Sequence, residues 1–437
     1  MKELLPTRHR HDKAILALAI PALGSLAIDP LVSLVDTAFV GQLGTAELGA
    51  LGVNAAIFAF TFLIFNFLAY GTTPQISRAV GRGDGEAAGR IVTQALTLAV
   101  AVGCLATAAL LIFTESILGL MGATGPLAEP AATYLRIRAF AGPAVLVILA
   151  SNGAFRGYQD TKTPLIVAVI FNLINLVLDP ILIFGVGWGI AGAAAATVIA
   201  QWTGALVFLW LLLVRHRETF QVQLVVPRPS ELLPLIQIGG HMLIRTGSLI
   251  ATMTFATAVA ARIGVVEVAA HQVSYQLWGF LALVVDSLAI AAQALLARHI
   301  GEDAPEVARE VGNRILQWGL AVGVLLALIF LMARPILPGL FTDDPETLTL
   351  ILTILIFVVV LQPINGLVFV WDGLFMGLEA FRYLAITMVL AAVVASALLV
   401  ATLMLGWGLV GVWFAITAMM IVRLLSLGLP WIFGRVP

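Results

Sequence analysis

A single cysteine, Cys104, stands in 437 residues, which excludes a disulfide framework and any cysteine-rich metal site. Charge is nearly as scarce. Asp, Glu, Lys and Arg make up 11% of the chain, against about 25% in soluble domains. No block of five or six like charges offers an interaction tail, and a net charge of -1 argues against a nucleic-acid partner. No nucleophile is spaced with a base, and the six histidines never approach metal-ligand spacing; His299 beside Arg298 reads as a loop residue. The chain is therefore expected to be no enzyme and to carry no cofactor beyond a coupling ion.

What fills the chain is apolar surface: 61% hydrophobic residues and a mean hydropathy of +1.06. At about 20 apolar residues per crossing, twelve spans are expected, near 14–40, 50–75, 91–114, 135–153, 164–185, 189–214, 235–261, 268–297, 314–333, 349–371, 383–405 and 408–430. Lys2, Arg8, Arg10 and Lys13 precede a first run that is too long for a signal peptide and reads as an uncleaved span. The longest polar link, Arg215 to Pro234, divides the chain into lobes at 1–217 and 218–437. With the N-terminus inside, the cytoplasmic segments hold 17 of the 23 Lys and Arg, whereas the opposite loops hold only Arg262 and Arg334. That bias places both termini in the cytoplasm, and the absence of transit features suits a bacterial inner membrane.

The halves repeat. At an offset of 220, Gly41-Gln42-Leu43-Gly44 meets Ala261-Arg262-Ile263-Gly264, Arg78 meets Arg298, and Gly153, Phe155 and Gly157 meet Gly373, Phe375 and Gly377. At 219, Gly187-Trp188-Gly189-Ile190-Ala191-Gly192 meets Gly406-Trp407-Gly408-Leu409-Val410-Gly411. The first of these also fits a dinucleotide-binding pattern, but no soluble strand precedes it, so small residues for close helix packing are expected. The fold class is thus an all-α polytopic membrane protein with twelve helices in two six-helix bundles, related by a pseudo-twofold axis along the membrane normal.

Within this pattern the acids are one-sided. Asp36 meets Ala256 in the second half, and Asp179 meets Leu398 or Leu399. Ser25, Asp29, Ser33 and Asp36 fall on one helical stripe; Asn172, Asn175 and Asp179 form a second, and Thr197 with Gln201 a third. An ionised Asp at the centre of a membrane helix costs roughly 2.5–3.5 kcal/mol, so its presence is a functional signal. Helix rise puts Asp36 about 33 Å and Asp179 about 22 Å along their spans, with Thr197 about 12 Å from the outer end of its own. Three stripes imply one polar cavity. Two carboxylates brought together there repel each other, and such a pair binds a proton or a small cation.

At these residues the chain resembles a known family. Ile28-Asp29-Pro30-Leu31 through Ser33-Leu34-Val35-Asp36-Thr37-Ala38-Phe39-Val40-Gly41, with Phe155-Arg156-Gly157-Tyr158-Gln159-Asp160-Thr161, is similar to the multidrug and toxic compound extrusion (MATE) transporters, DinF branch, over essentially the whole chain. The resemblance implies antiport, an organic substrate leaving as H⁺ or Na⁺ enters. It carries the family's cation site onto Asp36, Asn175, Asp179 and Thr197, with Tyr134 near it. The proton is the expected ion, and Na⁺ at Asp36, Asn175, Asp179 and Thr197 is the alternative. The related NorM members have an acidic second-lobe site, whereas here the seventh span lacks an acid and the tenth has Asn365; coupling through the first lobe is expected.

The second lobe carries His241, Arg245, Ser248 and Thr252 on one stripe. Arg245 needs an anion, either Asp286 in a structural pair or an anionic substrate. Asn172, Gln201, Arg245, Ser248 and Asp286 are the substrate-contact candidates. Rival readings are an organic-anion exporter and a lipid-linked precursor flippase. The expected partners are a small organic substrate and membrane lipid, and a monomer is expected.

Overall fold

The computed structural model describes residues 9–223, 225 and 227–435, with no strand among them. Lys2 and Arg8 of the basic leader lie outside the described residues. Eleven helices are long and apolar enough to cross a membrane, and a bent pair brings the count to as many as twelve. In chain order they are α1 (Asp12–Gly41), α2 (Thr45–Gly81), α3 (Gly85–Ile112), the bent pair α4 (Gly125–Ala139) and α5 (Gly142–Gly157), α6 (Lys162–Gly185), α7 (Ile190–Arg215), α8 (Pro229–Ile263), α9 (Val265–Gly301), α10 (Pro305–Ala333), α11 (Pro345–Gly377), α12 (Phe381–Leu405) and α13 (Gly408–Ile432).

The span expected at 135–153 is not one straight rod. It breaks by 50° between α4 and α5, where Pro143 sits in the first turn of α5 and supplies no N–H. Thr107 on α3 donates its hydroxyl to the Ala139 carbonyl at 2.7 Å, satisfying an acceptor that the break frees. A second irregularity was not anticipated: after Pro180 the end of α6 widens into a π turn, Ile181–Gly185. This loosened turn follows Asp179 directly.

Two compact units are present. One comprises Ile20–Gly239 with Gly301–Asp303; the other takes the chain start up to Ala19, Gly240–Ile300 and Ala304–Pro437. The first turns of α1 thus belong with the second unit, where Asp12 accepts hydrogen bonds from Arg314 Nε at 2.7 Å, Arg314 Nη2 at 2.8 Å and Trp318 Nε1 at 2.9 Å.

Inside each unit the same contacts recur at the offset seen in the sequence. A Cβ on Gly103 would lie 2.5 Å from Pro143 Cα, and one on Gly323 would lie 2.8 Å from Pro363 Cα. Gly153 backs onto the Ala69 carbonyl and Gly373 onto that of Ala289, while Gly157 meets Ile76 and Gly377 meets Leu296. Every pair differs by 220 residues. Lipid offers helices no hydrophobic drive to associate, so backbone-to-backbone approach at glycine supplies the dispersion contact. The Gly-Trp-Gly repeats serve the same end: Gly192 sits against the Leu182 backbone and Gly411 against Thr402.

In the first unit an apolar cluster of Val40, Ala50, Ile57, Phe58, Leu135 and Ala194 ties α1, α2, α4 and α7 together.

Candidate functional site

The polar stripes of α1 and α6 meet in two rungs. Asn172 Nδ2 donates to Asp29 Oδ1 at 2.8 Å and to its own-helix Ala168 carbonyl at 2.9 Å. Seven residues further along both helices, Asp36 and Asp179 stand next to each other. Because both rungs join residues 143 apart, α1 and α6 run parallel and in register over that stretch.

Asn175, one turn below Asp179, lies 3.3 Å from both Asp36 oxygens. Its amide nitrogen belongs on that side, since an ionised carboxylate only accepts. The other end of the amide reaches Thr197 Oγ1 on α7 at 3.5 Å, and Thr197 donates to the Ala193 carbonyl at 2.9 Å. Tyr134 on α4 is buried and faces the same cavity as Thr197 and Arg138. Asp36, Asn175, Asp179, Thr197 and Tyr134 therefore form one cluster, with Asp179 only 1% exposed.

A cavity of about 600 Å³ adjoins the cluster inside the first unit. Asp29, Asp36, Asn172, Asn175, Thr197 and Gln201 face it, together with apolar and aromatic walls from Val32, Phe58, Phe171 and Phe208. Arg138, near the end of α4, also lines this cavity, donates to Gln201 Oε1 at 2.8 Å and lies 5.0 Å from the centre of the Phe58 ring. One signal was available: Arg138 follows Tyr134 by four residues and shares its helix face.

The second unit holds a different arrangement. Arg245 Nη2 on α8 donates to Asp372 Oδ2 at 2.6 Å, and Arg423 on α13 donates to the same oxygen. Asp372 and Arg423 are each 3% exposed. The expected counter-ion of Arg245 was Asp286 or an anionic substrate; Asp372 joins it as an unanticipated partner because the tenth span was ended at 371, whereas α11 continues to Gly377. With two guanidiniums on one carboxylate, Asp372 is not available as a cation site. Arg245, Ser248 and Asp286 belong to this unit and are not among the residues that line the cavity. Asn365 is buried within α11.

One expectation about histidine is overturned. His299 lies within α9 and not in a loop. His9, His11 and Glu310, separated by some 300 residues of sequence, bring one ligand atom each within 4.8 Å of one another. Spacing along the chain could not show a ligand group closed by tertiary contact.

Comparisons with known proteins agree with this architecture. The MatE family profile matches residues 21–181 and 242–402, one copy in each half. The chain is 38% identical to Protein DETOXIFICATION 44, chloroplastic, of Arabidopsis thaliana over 77% of its own length. It spans about 64% of that relative and about 59% of Protein DETOXIFICATION 45, so each is longer. DNA damage-inducible protein F of Escherichia coli is 29% identical over 87% of this chain and 83% of its own. Among solved structures, a MATE protein in the bent conformation superposes with a TM-score of 0.88 at 23% identity, covering 99% of this chain and 96% of the other. The chain belongs to the MatE family.

Proposed function

We propose that this chain is a proton-coupled antiporter that exports organic, cationic amphipathic compounds by alternating access, its ion site formed by Asp36, Asn175, Asp179 and Thr197. The observation that carries the reading is the neighbouring Asp36–Asp179 pair, with Asn175 3.3 Å from Asp36, beside a cavity with acidic, amide and aromatic walls. Fully ionised, two neighbouring carboxylates at a poorly hydrated site would repel each other strongly. A proton or a cationic substrate relieves that repulsion, and the two occupants compete for the same charge. Proton uptake neutralises the pair, weakens its hold on a bound organic cation and lets α1 repack against α6. Each charge moving down 100 mV supplies about 2.3 kcal/mol and each pH unit about 1.4 kcal/mol, enough to drive such exchange.

Related proteins support the substrate class. A Thermotoga maritima relative, 23% identical over 76% of this chain, is named a probable multidrug resistance protein, and an outward-facing structure with a TM-score of 0.84 is described as a multidrug resistance MATE family transporter. The Lys and Arg bias supports both termini being cytoplasmic, and the plasma membrane is the location this reading takes. The arginine in the cavity, Arg138 on Gln201, favours a second reading, export of organic anions.

The test uses purified protein in proteoliposomes. Efflux of a cationic dye and of citrate is followed under an imposed proton gradient and under an imposed sodium gradient. Dye efflux driven by protons alone supports the reading. Drive by sodium alone, or transport of citrate and not of the dye, overturns it in favour of sodium coupling or anion export.

A further inference from the structure

We propose that His9, His11 and Glu310 form a binding site for a divalent transition-metal ion of the zinc class, at the foot of α1. The geometry is that of ligands waiting for an ion. His9 Nε2 lies 3.3 Å and His11 Nε2 3.6 Å from the same carboxylate oxygen, Glu310 Oε1. Tetrahedral zinc, with bonds of about 2.0–2.1 Å to His and carboxylate, sets neighbouring ligand atoms about 3.3–3.4 Å apart. Two imidazoles and one carboxylate also leave a fourth position open. The ring of His299 on α9 stands edge-on to His11 with centroids 6.3 Å apart.

Arg10 Nε reaches both Glu310 Oε1 and His11 Nε2 at 3.1 Å and so occupies the place of the ion. Its side chain is 65% exposed and can swing into water. An exposed ion pair is worth only about 0.2–1 kcal/mol, far less than zinc gains from three protein ligands.

The location gives the site a consequence. Asp12, next to His11, is already fastened to Arg314 and Trp318 on the helix that carries Glu310. An ion bridging His9, His11 and Glu310 would add a second tie between the start of α1 and α10, and α1 is the helix that carries Asp29 and Asp36. Metal occupancy is thus placed to restrain that helix.

The site is tested on the full chain in detergent, stripped with chelator and titrated with Zn²⁺ by calorimetry and with Co²⁺ by its visible absorption. One ion per chain is expected, with the absorption of tetrahedral Co²⁺. Loss of an outer-shell partner alone weakens a metal site about 10–100-fold, so the double change His9→Ala with His11→Ala should exceed that. Glu310→Gln should weaken binding as well, and Arg10→Gln should tighten it, since a competitor is removed. An arrangement that is only an ion-pair network would be insensitive to Zn²⁺ in every variant. Absence of saturable binding in the wild type, or binding unchanged in both the double variant and Glu310→Gln, overturns the proposal.

Discussion

Asp36 and Asp179 stand next to each other although they are on different helices and 143 residues apart. Each is a residue that lipid disfavours. In the rung beneath them Asn172 donates to Asp29, so one carboxyl there meets an amide, whereas two carboxyls meet above it.

Asp36→Asn removes the charge and keeps the shape. Proton-driven dye efflux should fall to the level of protein-free liposomes, while expression and melting temperature in detergent stay within a few degrees of wild type. Full pH-driven transport by this variant would remove Asp36 from the coupling site.

Close glycine crossings carry the helix packing of both units. Gly103→Val and Gly323→Val drive side chains into the Pro143 and Gln362–Pro363 backbones, and overpacking of this kind costs about 1–3 kcal/mol. Both should lower the melting temperature by several degrees. Gly240→Ala, where a Cβ meets nothing within 4 Å, should leave it unchanged or raise it.

Asp372 balances two guanidiniums in a buried setting. Breaking a buried ion pair by removing one partner costs about 3–5 kcal/mol because charge is left uncompensated. Asp372→Leu should expose this as loss of folded protein in a fluorescence-detected gel-filtration assay. The joint change Asp372→Leu, Arg245→Met, Arg423→Met should recover much of it, and failure to recover any would show that Asp372 has a role beyond holding these arginines.

Asp344 caps α11, accepting from the Thr347 backbone N–H at 2.8 Å and from its hydroxyl. Those hydrogen bonds hold its carboxyl below the usual carboxylate range. With the folded pKa depressed, the cap stabilises above the unfolded pKa, about 3.9, and its contribution disappears as pH falls through the folded value. The melting-temperature gap between wild type and Asp344→Ala should be full at pH 7 and closed in strong acid. A gap independent of pH would mean the side chain acts by packing.

Stripes of polar residues on apolar helices were legible because their period is set by helix geometry alone. Asp29, Asp36, Asn172, Asn175, Asp179, Thr197 and Gln201 could be read off one helix at a time, and the structure brings all of them except Asp179 to the lining of one cavity, with Asp179 buried beside Asp36. Arg138 and Asp372 were not legible, because each sits near a span end, where hydropathy falls and boundaries blur. The π turn after Pro180 was equally hidden, since a proline marks a disturbance without saying which geometry resolves it.

Composition, hydropathy and the 220-residue repeat by themselves determined that this is a duplicated all-helical membrane protein with acids in one half only. They could do so because a bilayer demands about 20 apolar residues per crossing whatever the neighbours are. Which carboxyl meets which, where the fourth crossing bends, that two arginines converge on Asp372, and that His9 and His11 find Glu310 were decided only in three dimensions. Those are contacts between distant segments, chosen by the packing of helices whose individual patterns carry no record of their partners.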